Sequence, residues 1–447
     1  MIGEKKAKLR QWQRTIIGLV VAVIVVVAAV VIWRLYIRHT PPIEVASKEK
    51  MAFPLPDKPS IAVLPFVNMS GDPKQEYFSD GLSDDIINAL VRWPPISVIP
   101  RASSFIYKGK SADVKQVGRE MGVQYVLEGS VRREGNRVRI TVQLIDATTL
   151  QHLFSERYER EMKDIFAIQD EITMKVLTAM RVSLSGQGVP SSRGKGTKSI
   201  EAYLKLLQAE AALQTINRAS QAQTRRLAEE AIALDPGYAR AYSMLAAAVG
   251  NEFALGVYEC EALEQAMTLA QKGAQLDDSS EFGHTVLGVI ALLKRDYERA
   301  IAEEERAVAL APNSVPANFM LGYVLCCAGR DEEAIPILKK ALAMSPIPPA
   351  RALRLVCIAS RKARRYEEAV AACRQSLQRE PNDMLSHLTL AATFVEMEKM
   401  EEARAEITEV LRIDPRYTVE HVPRSFPWKD QAEIDRLIDS LHKAGLK

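Results

Sequence analysis

The sequence predicts three structural classes in series: an N-terminal transmembrane helix, an α/β domain with a mixed sheet, and an all-α solenoid of repeated helix pairs. Three observations carry this. Residues 15–33 (TIIGLVVAVIVVVAAVVIW) run for 19 positions without a charge. Residues 59–185 interleave strand-type alternation with helical spacing. Pro312, Pro346, Pro381 and Pro415 stand 34 or 35 residues apart, and each ends an Ala-rich helical stretch.

A chain of 447 residues is too long for one ordinary core and should hold two or three units. A hydrophobic content of 47% and a charged content of 26% belong to a folded protein. The formal charge of +3 is concentrated at one end. Lys5, Lys6, Lys8, Arg10 and Arg14 against Glu4 place +4 in the first 14 residues, which leaves −1 for the rest. A nucleic-acid footprint needs a basic stripe on the folded part, so no nucleic-acid partner is expected.

Residues 1–14 are read as a basic tail and residues 15–36 as an uncleaved transmembrane signal anchor. At about 1.5 Å per residue the apolar run matches the hydrocarbon thickness of a bilayer, and Trp12, Trp33 and Tyr36 bracket it at interfacial depth. It exits into Trp33-Arg34-Leu35-Tyr36, where a signal peptidase needs small residues. Five basic residues precede it and Arg34 and Arg38 follow closely. The positive-inside rule then predicts a single-pass membrane protein with its N-terminus cytoplasmic and the bulk of the chain exported. Residues 37–58, with Pro41, Pro42, Pro54 and Pro56, form a linker.

Residues 59–185 follow. SIAVLPF at 60–66 reads as a strand, and residues 68–72 (NMSGD) as a turn. Residues 77–93 read as a helix with an Ile86, Ile87, Leu90, Val91 stripe, and 96–99 as a second strand. Residues 113–121 form a helix that Gly122 caps. Residues 123–132 and 137–146 pair as a hairpin around Glu134-Gly135-Asn136, 153–160 adds a third antiparallel strand, and helix 165–184 closes the layer. Asp80, Asp84 and Asp85 are placed in the first turns of their helix, where carboxylates offset the macrodipole.

Five stretches in order, IAVLPFVNMSGDP, YFSDGLSDDI, VIPRASSFIYKGK, VQYVLEGSVRREGNRVRITVQLIDA and DIFAIQDEI, resemble the TolB-like amino-terminal domain found beside helical repeats in bacterial proteins. The resemblance covers about residues 58–185. In that family the pairing often sits behind a class III adenylate cyclase domain or a winged-helix DNA-binding domain, and neither is read in this chain. The resemblance implies a non-catalytic accessory domain with no catalytic residues to carry over and, together with the anchor, a single-pass bacterial inner-membrane protein whose bulk is periplasmic.

Residues 186–198 (GQGVPSSRGKGTK) are a flexible basic linker. Five residues separate Gly188 from Gly194, and Gly196 stands where a phosphate loop needs a hydroxyl after Lys195. The six histidines are scattered, without HExxH. Five cysteines form neither CxxC nor a Cys/His zinc spacing, and an odd number suits no disulfide framework. They are expected to pack as small hydrophobes. No catalytic, cofactor-binding or metal-binding residue is assigned, and no small-molecule substrate is expected.

Residues 199–427 hold about six repeats. With the terminal proline as position 32, positions 7, 8, 20 and 27 are Leu287, Gly288, Ala300 and Ala307 in the third unit. In the fourth they are Leu321, Gly322, Ala334 and Ala341, and in the sixth Leu390, Ala391, Ala403 and Val410. Small residues at 8 and 20 let two helices approach, and a 34-residue helical pair with this pattern is a tetratricopeptide repeat. The fifth unit is less regular (Val356, Cys357, Ala369, Ser376), and Cys357 and Cys373 should face each other across its two helices, where a disulfide is conceivable. Residues 428–447 read as a capping helix.

The inner face, built from the first helix of each unit, should bind protein or peptide partners. Its candidates are Phe282, Thr285, Phe319, Tyr323, Arg351, Arg354 and Arg361. With Lys362, Arg364 and Arg365 the last three form a run of six cations without an acid, suited to an extended segment with apolar anchors and a carboxylate-bearing end. The expected function is a membrane-anchored, non-enzymatic scaffold. The alternative is an accessory or sensory component of a cyclic-nucleotide system lacking its own catalytic domain.

Overall fold

The computed structural model describes residues 58–110, 113–182, 196–215, 217–254 and 261–447. The expected tail, anchor and first linker, apart from Lys58, lie outside the described residues, as does most of the second linker. Among the described residues no helix is long and apolar enough to cross a membrane. The fold class is corrected accordingly to a mixed-sheet domain followed by an all-α solenoid, and the single-pass inner-membrane placement is withdrawn. That placement rested on an apolar run, which records hydrophobicity but does not by itself make a spanning helix.

Strand β1 (Ser60–Val63) lies parallel to both β3 (Ser97–Val98) and β4 (Tyr125–Glu134). β4, β5 (Arg137–Asp146) and β6 (Gln151–Glu161) form an antiparallel meander, giving the order β3-β1-β4-β5-β6. Gly135, at φ +57°, makes the β4–β5 turn. A short strand β2 (Val67–Asn68) pairs in parallel with β4, where the sequence suggested only a turn.

Alternation along β5 decides the layering. Val138, Ile140, Val142 and Leu144 are buried with Ile61, Val63 and Leu127, under helices α1 (Glu76–Leu90) and α4 (Ile165–Ala179). The short helix α2 (Arg101–Ser104) follows β3. On the opposite face α3 (Val114–Met121), N-capped by Asp113 and ended by left-handed Gly122, packs Val117 and Met121 on Ala62 and Val126.

Six antiparallel helix pairs follow among the described residues. They are α5 (Ile200–Leu213) with α6 (Arg218–Leu234), α7 (Ala239–Ala254) with α8 (Glu261–Leu276), and α9 (Glu281–Leu293) with α10 (Tyr297–Leu310). Then come α11 (Val315–Cys327) with α12 (Asp331–Ala343), α13 (Ala350–Lys362) with α14 (Tyr366–Arg379), and α15 (Met384–Glu396) with α16 (Met400–Ile413). The small positions are small for a measurable reason: a Cβ on Gly322 would sit 2.5 Å from Leu338 Cδ2 of the facing helix. Cys357 and Cys373 are disulfide-bonded across α13 and α14, with Cα atoms 5.2 Å apart. Cys326 and Cys327 are buried free thiols.

The capping helix starts later than expected. After the short α17 (Val422–Ser425), Phe426 and Trp428 are buried before α18 (Gln431–Ala444) begins at N-cap Asp430. Trp428 has left the helix because its ring is wanted in the solenoid, against the Arg361 and Lys362 cations (5.6 and 5.0 Å).

The aspartate cluster is also corrected. α1 begins at Glu76, so Asp84 and Asp85 lie in its third turn, too far along to cap it. Asp85 instead accepts hydrogen bonds from Tyr203 Oη of α5 (2.5 Å) and Gln169 Nε2 of α4 (2.8 Å). Tyr203 and Leu207 belong to the same buried cluster as the sheet's helical face, so the first repeat helix completes the sheet domain's core.

Candidate functional site

The first helix of each repeat turns one face inward, and at α11, α13 and α15 those faces floor a cavity of about 310 Å³. Phe319, Met320 and Tyr323 reach it from α11, one helical turn apart. Arg351, Arg354, Leu355 and Ile358 reach it from α13 at the i, i+3, i+4, i+7 spacing of one stripe. Leu385 comes from α15.

Two lips close this floor. On one side stand Pro100, Arg101 and Ala102 of the sheet domain. They are fixed by Ser103 Oγ, 3.1 Å from Ser345 Oγ and donating to the Ile347 carbonyl (3.1 Å). Asn313 Nδ2 adds bonds to the carbonyls of Trp93 and Ile96 (3.3 and 3.1 Å). On the other side lie Phe426, Pro427 and Trp428. There Arg295 Nη1 donates to the Trp428 carbonyl (3.2 Å), Tyr297 Oη to that of Pro427 (3.4 Å), and the Lys429 amide to that of Cys327 (2.8 Å).

Three guanidinium groups line the cavity. Arg101 Nε lies 3.6 Å from Asp84, and Arg354 pairs with buried Asp383. Arg351 is exposed at the rim and has no carboxylate partner among the described residues; its apolar surroundings and Arg354 both disfavour its charge. Tyr323 has its hydroxyl held well above the ordinary range, chiefly by burial. Burial likewise lifts the Cys327 thiol to about 12.

The structure thus gathers Phe319, Tyr323, Arg351 and Arg354 and separates the other three candidates. Phe282 and Thr285 sit on α9, outside this cavity, with the Arg240 guanidinium 5.0 Å over the Phe282 ring. Arg361 is corrected outright. It is fully buried, bonds Glu396 Oε1 at 2.5 Å, and cannot present a charge to a partner. Nor do the six cations form a patch, since Lys362 pairs with Asp331 (3.1 Å) and Arg365 with Glu332 (2.5 Å). Their acids come from 29 to 35 residues away, about one repeat along the chain, where a local charge count does not look. Sequence reasoning also missed Arg101 and Trp428, which enter from outside the repeats.

Among the described residues no three His, Cys, Asp or Glu side chains are placed to hold a metal ion.

Comparisons with known proteins fit the two-part architecture. The model of a tetratricopeptide repeat family matches residues 360–418. That of the HilA/YgeH-like transcriptional regulator, second domain, matches residues 57–175. The stretch resembling a TolB-like domain therefore matches a different family description, and the TolB-like assignment is not confirmed. A Rhizobium meliloti (strain 1021) protein named "Putative adenylate cyclase 3" is 44% identical over 255 residues, 57% of this chain and 43% of that protein. Transcriptional regulator HilA of Salmonella typhimurium is 21% identical over 66% of this chain and 52% of its own length. The chain thus spans about half the length of the curated relatives it matches. Among solved structures, MamA from Desulfovibrio magneticus RS-1 is 20% identical, covering 39% of this chain and 96% of that one at a TM-score of 0.33. The chain contains tetratricopeptide repeats and is scaffold-like in build.

Proposed function

We propose that the protein is a non-catalytic scaffold that holds a protein partner against the inner face of its repeats. The observation that carries this reading is the run of inward side chains from Phe282 on α9 to Arg351 on α13. It offers apolar anchors and, in Arg351, a guanidinium without a carboxylate partner among the described residues. Its two portions divide the work: Phe282 and Thr285 flank the open part, and Phe319 and Tyr323 line the closed part. The sheet domain, read as TolB-like on the five motifs above, serves as the accessory module that one lip belongs to.

Site-specific photo-crosslinking tests the scaffold. A benzophenone side chain at Thr285 or Pro316, on the inner face, should give a discrete adduct in cells, whereas one at exposed Glu367 of α14 should not. Adducts of equal yield from both surfaces, or none from the inner one, would exclude it.

A second reading is supported by the 44% identity with a protein named as an adenylate cyclase. In it the chain is an accessory or sensory part of a cyclic-nucleotide system. Deletion should then change cellular cyclic-nucleotide levels, and unchanged levels would remove that reading.

A further inference from the structure

The closed part of the inner face has a chemistry that an extended peptide does not satisfy. Its walls are apolar side chains of Val315, Phe319, Met320, Leu355, Ile358 and Leu385. Polar groups at its edge are already used within the chain: Ser345 Oγ meets Ser103, and the Cys326 carbonyl accepts from Lys362 Nζ. A main chain laid here would bury N–H and C=O groups without partners, at about 1–3 kcal/mol each. An alkyl or aryl body carries no such groups. Both lips are fastened by hydrogen bonds within the chain, so the walls of the cavity are held in place.

Charge then selects the head group. Arg101 and Arg354 are each offset by an aspartate, and Arg351 has no carboxylate partner among the described residues. One uncompensated positive charge beside an apolar recess fits one negative charge on an apolar body. At about 310 Å³ the cavity lies at the low end of ligand cavities.

We propose that this cavity binds a small amphipathic monoanion, an aryl or medium-chain carboxylic acid, with its apolar body against Phe319, Met320, Leu355 and Ile358 and its carboxylate on Arg351. The proposal rests on the reading of the inner face as a recognition surface and names what its closed part takes. Because one lip belongs to the sheet domain and the other to the C-terminal segment, the occupied cavity ties three parts of the chain together.

The test is calorimetric titration of the full chain with octanoate, 4-phenylbutyrate and the neutral octanamide. An acid should bind saturably at one site, with the amide about tenfold weaker or worse, since about 1.4 kcal/mol of charge-assisted bonding is tenfold. Arg351→Gln, a rim change that leaves the fold alone, should lower acid affinity by about tenfold while leaving the melting temperature of the free protein unchanged. Leu355→Trp should abolish binding by filling the recess; if it misfolds, Ile358→Phe serves, with circular dichroism as the check. Equal affinity for acid and amide, or an Arg351→Gln protein that binds as the parent does, overturns the head-group assignment. Saturable binding of a peptide ending in an apolar residue, with no saturation by either acid at about 10 mM, overturns the ligand class while leaving the scaffold standing. Failure of the scaffold would show in the Thr285 crosslinks, which the titration does not read.

Discussion

Glu304 is fully buried between α9 and α10, against Gly288 and beside Thr285, and burial holds its carboxyl well above the usual range. The repeat register explains why that is a defect of packing. Counting back from the terminal proline, the equivalent positions carry Leu338, Cys373 and Ile407, all core residues, and Gly288 corresponds to the Gly322 that faces Leu338. Glu304→Leu should therefore stabilise the protein, by roughly 1–3 kcal/mol at pH 7. A carboxyl whose folded pKa is raised contributes fully below the unfolded value near 4.5 and loses that contribution as pH rises toward the folded value. The gain should accordingly shrink toward pH 4.5, and urea midpoints at pH 4.5, 6 and 8 would read it. A gain constant with pH would mean that packing alone is responsible. At this scale helical spacing in the sequence puts Phe319 with Tyr323 and Arg351 with Arg354 on one face of their helices, and these four line the cavity while Phe282, Thr285 and Arg361 do not. It misjudged Arg361 because one turn further along the same helix the groove ends and the C-terminal segment covers it.

The helix pair α13–α14, whose small positions depart from those of its neighbours, and the segment that leads into α18 are each held by an added fastening. In the pair it is the Cys357–Cys373 disulfide, closing a loop with a sequence separation of 16, which constrains the unfolded chain by about 3 kcal/mol. Alkylation in denaturant without reductant should leave two of the five cysteines unlabelled, and the Cys357→Ser, Cys373→Ser double variant should melt earlier. Full labelling without reductant would disprove the bond. An even spacing rule could suggest this pair only weakly, because what brings the sulfurs together is the small-residue contact of two helices. At the C-terminus the fastening is ionic. Arg361 is enclosed by Glu396, Glu433 and Trp428, and Arg361→Ala would leave the nearly buried Glu396 with Arg436 as its remaining cation, 3.6 Å away. That single change should cost about 1–3 kcal/mol, and adding Glu396→Ala should recover part of it. Additive losses in the double variant would show that the two groups do not act as a pair. No local pattern around Trp428 marks it as a lid, since its partners lie on α13, some 66 residues earlier.

At the scale of the molecule, the sheet domain and the solenoid meet through buried charge. α1 lies on α5 so closely that a Cβ at Gly81 would fall 2.6 Å from Leu207 Cδ2. The sequence displayed both domains, because alternation and a 34-residue period are local signals. It did not display their union, because Asp85 and Tyr203 are 118 residues apart and neither is unusual in its own helix. Next to that pair, burial and then the Glu210 carboxylate push Asp84 up to about 6 from an ordinary 3.8, against the pull of Arg101. With the folded value raised, the junction keeps its full contribution below pH 3.8 and loses it as pH rises through about 6. The His284 and His387 side chains work in the same direction. The first is raised chiefly by its 2.8 Å bond to Glu303, and the second is raised because its bonds to Glu406 and the Pro381 carbonyl outweigh burial. Asp84→Asn should remove the fall between pH 4 and 6 and stabilise the protein at pH 7 by about 1–3 kcal/mol, each pKa unit being worth about 1.4 kcal/mol. Hydrogen exchange resolved by element locates the effect: slower exchange should appear first in α1 and α5, which share the junction, and not in α15 or α16. If instead the variant exchanges faster there at pH 7, the pairing of Asp84 with Arg101 outweighs its burial, and the junction is held by that ion pair.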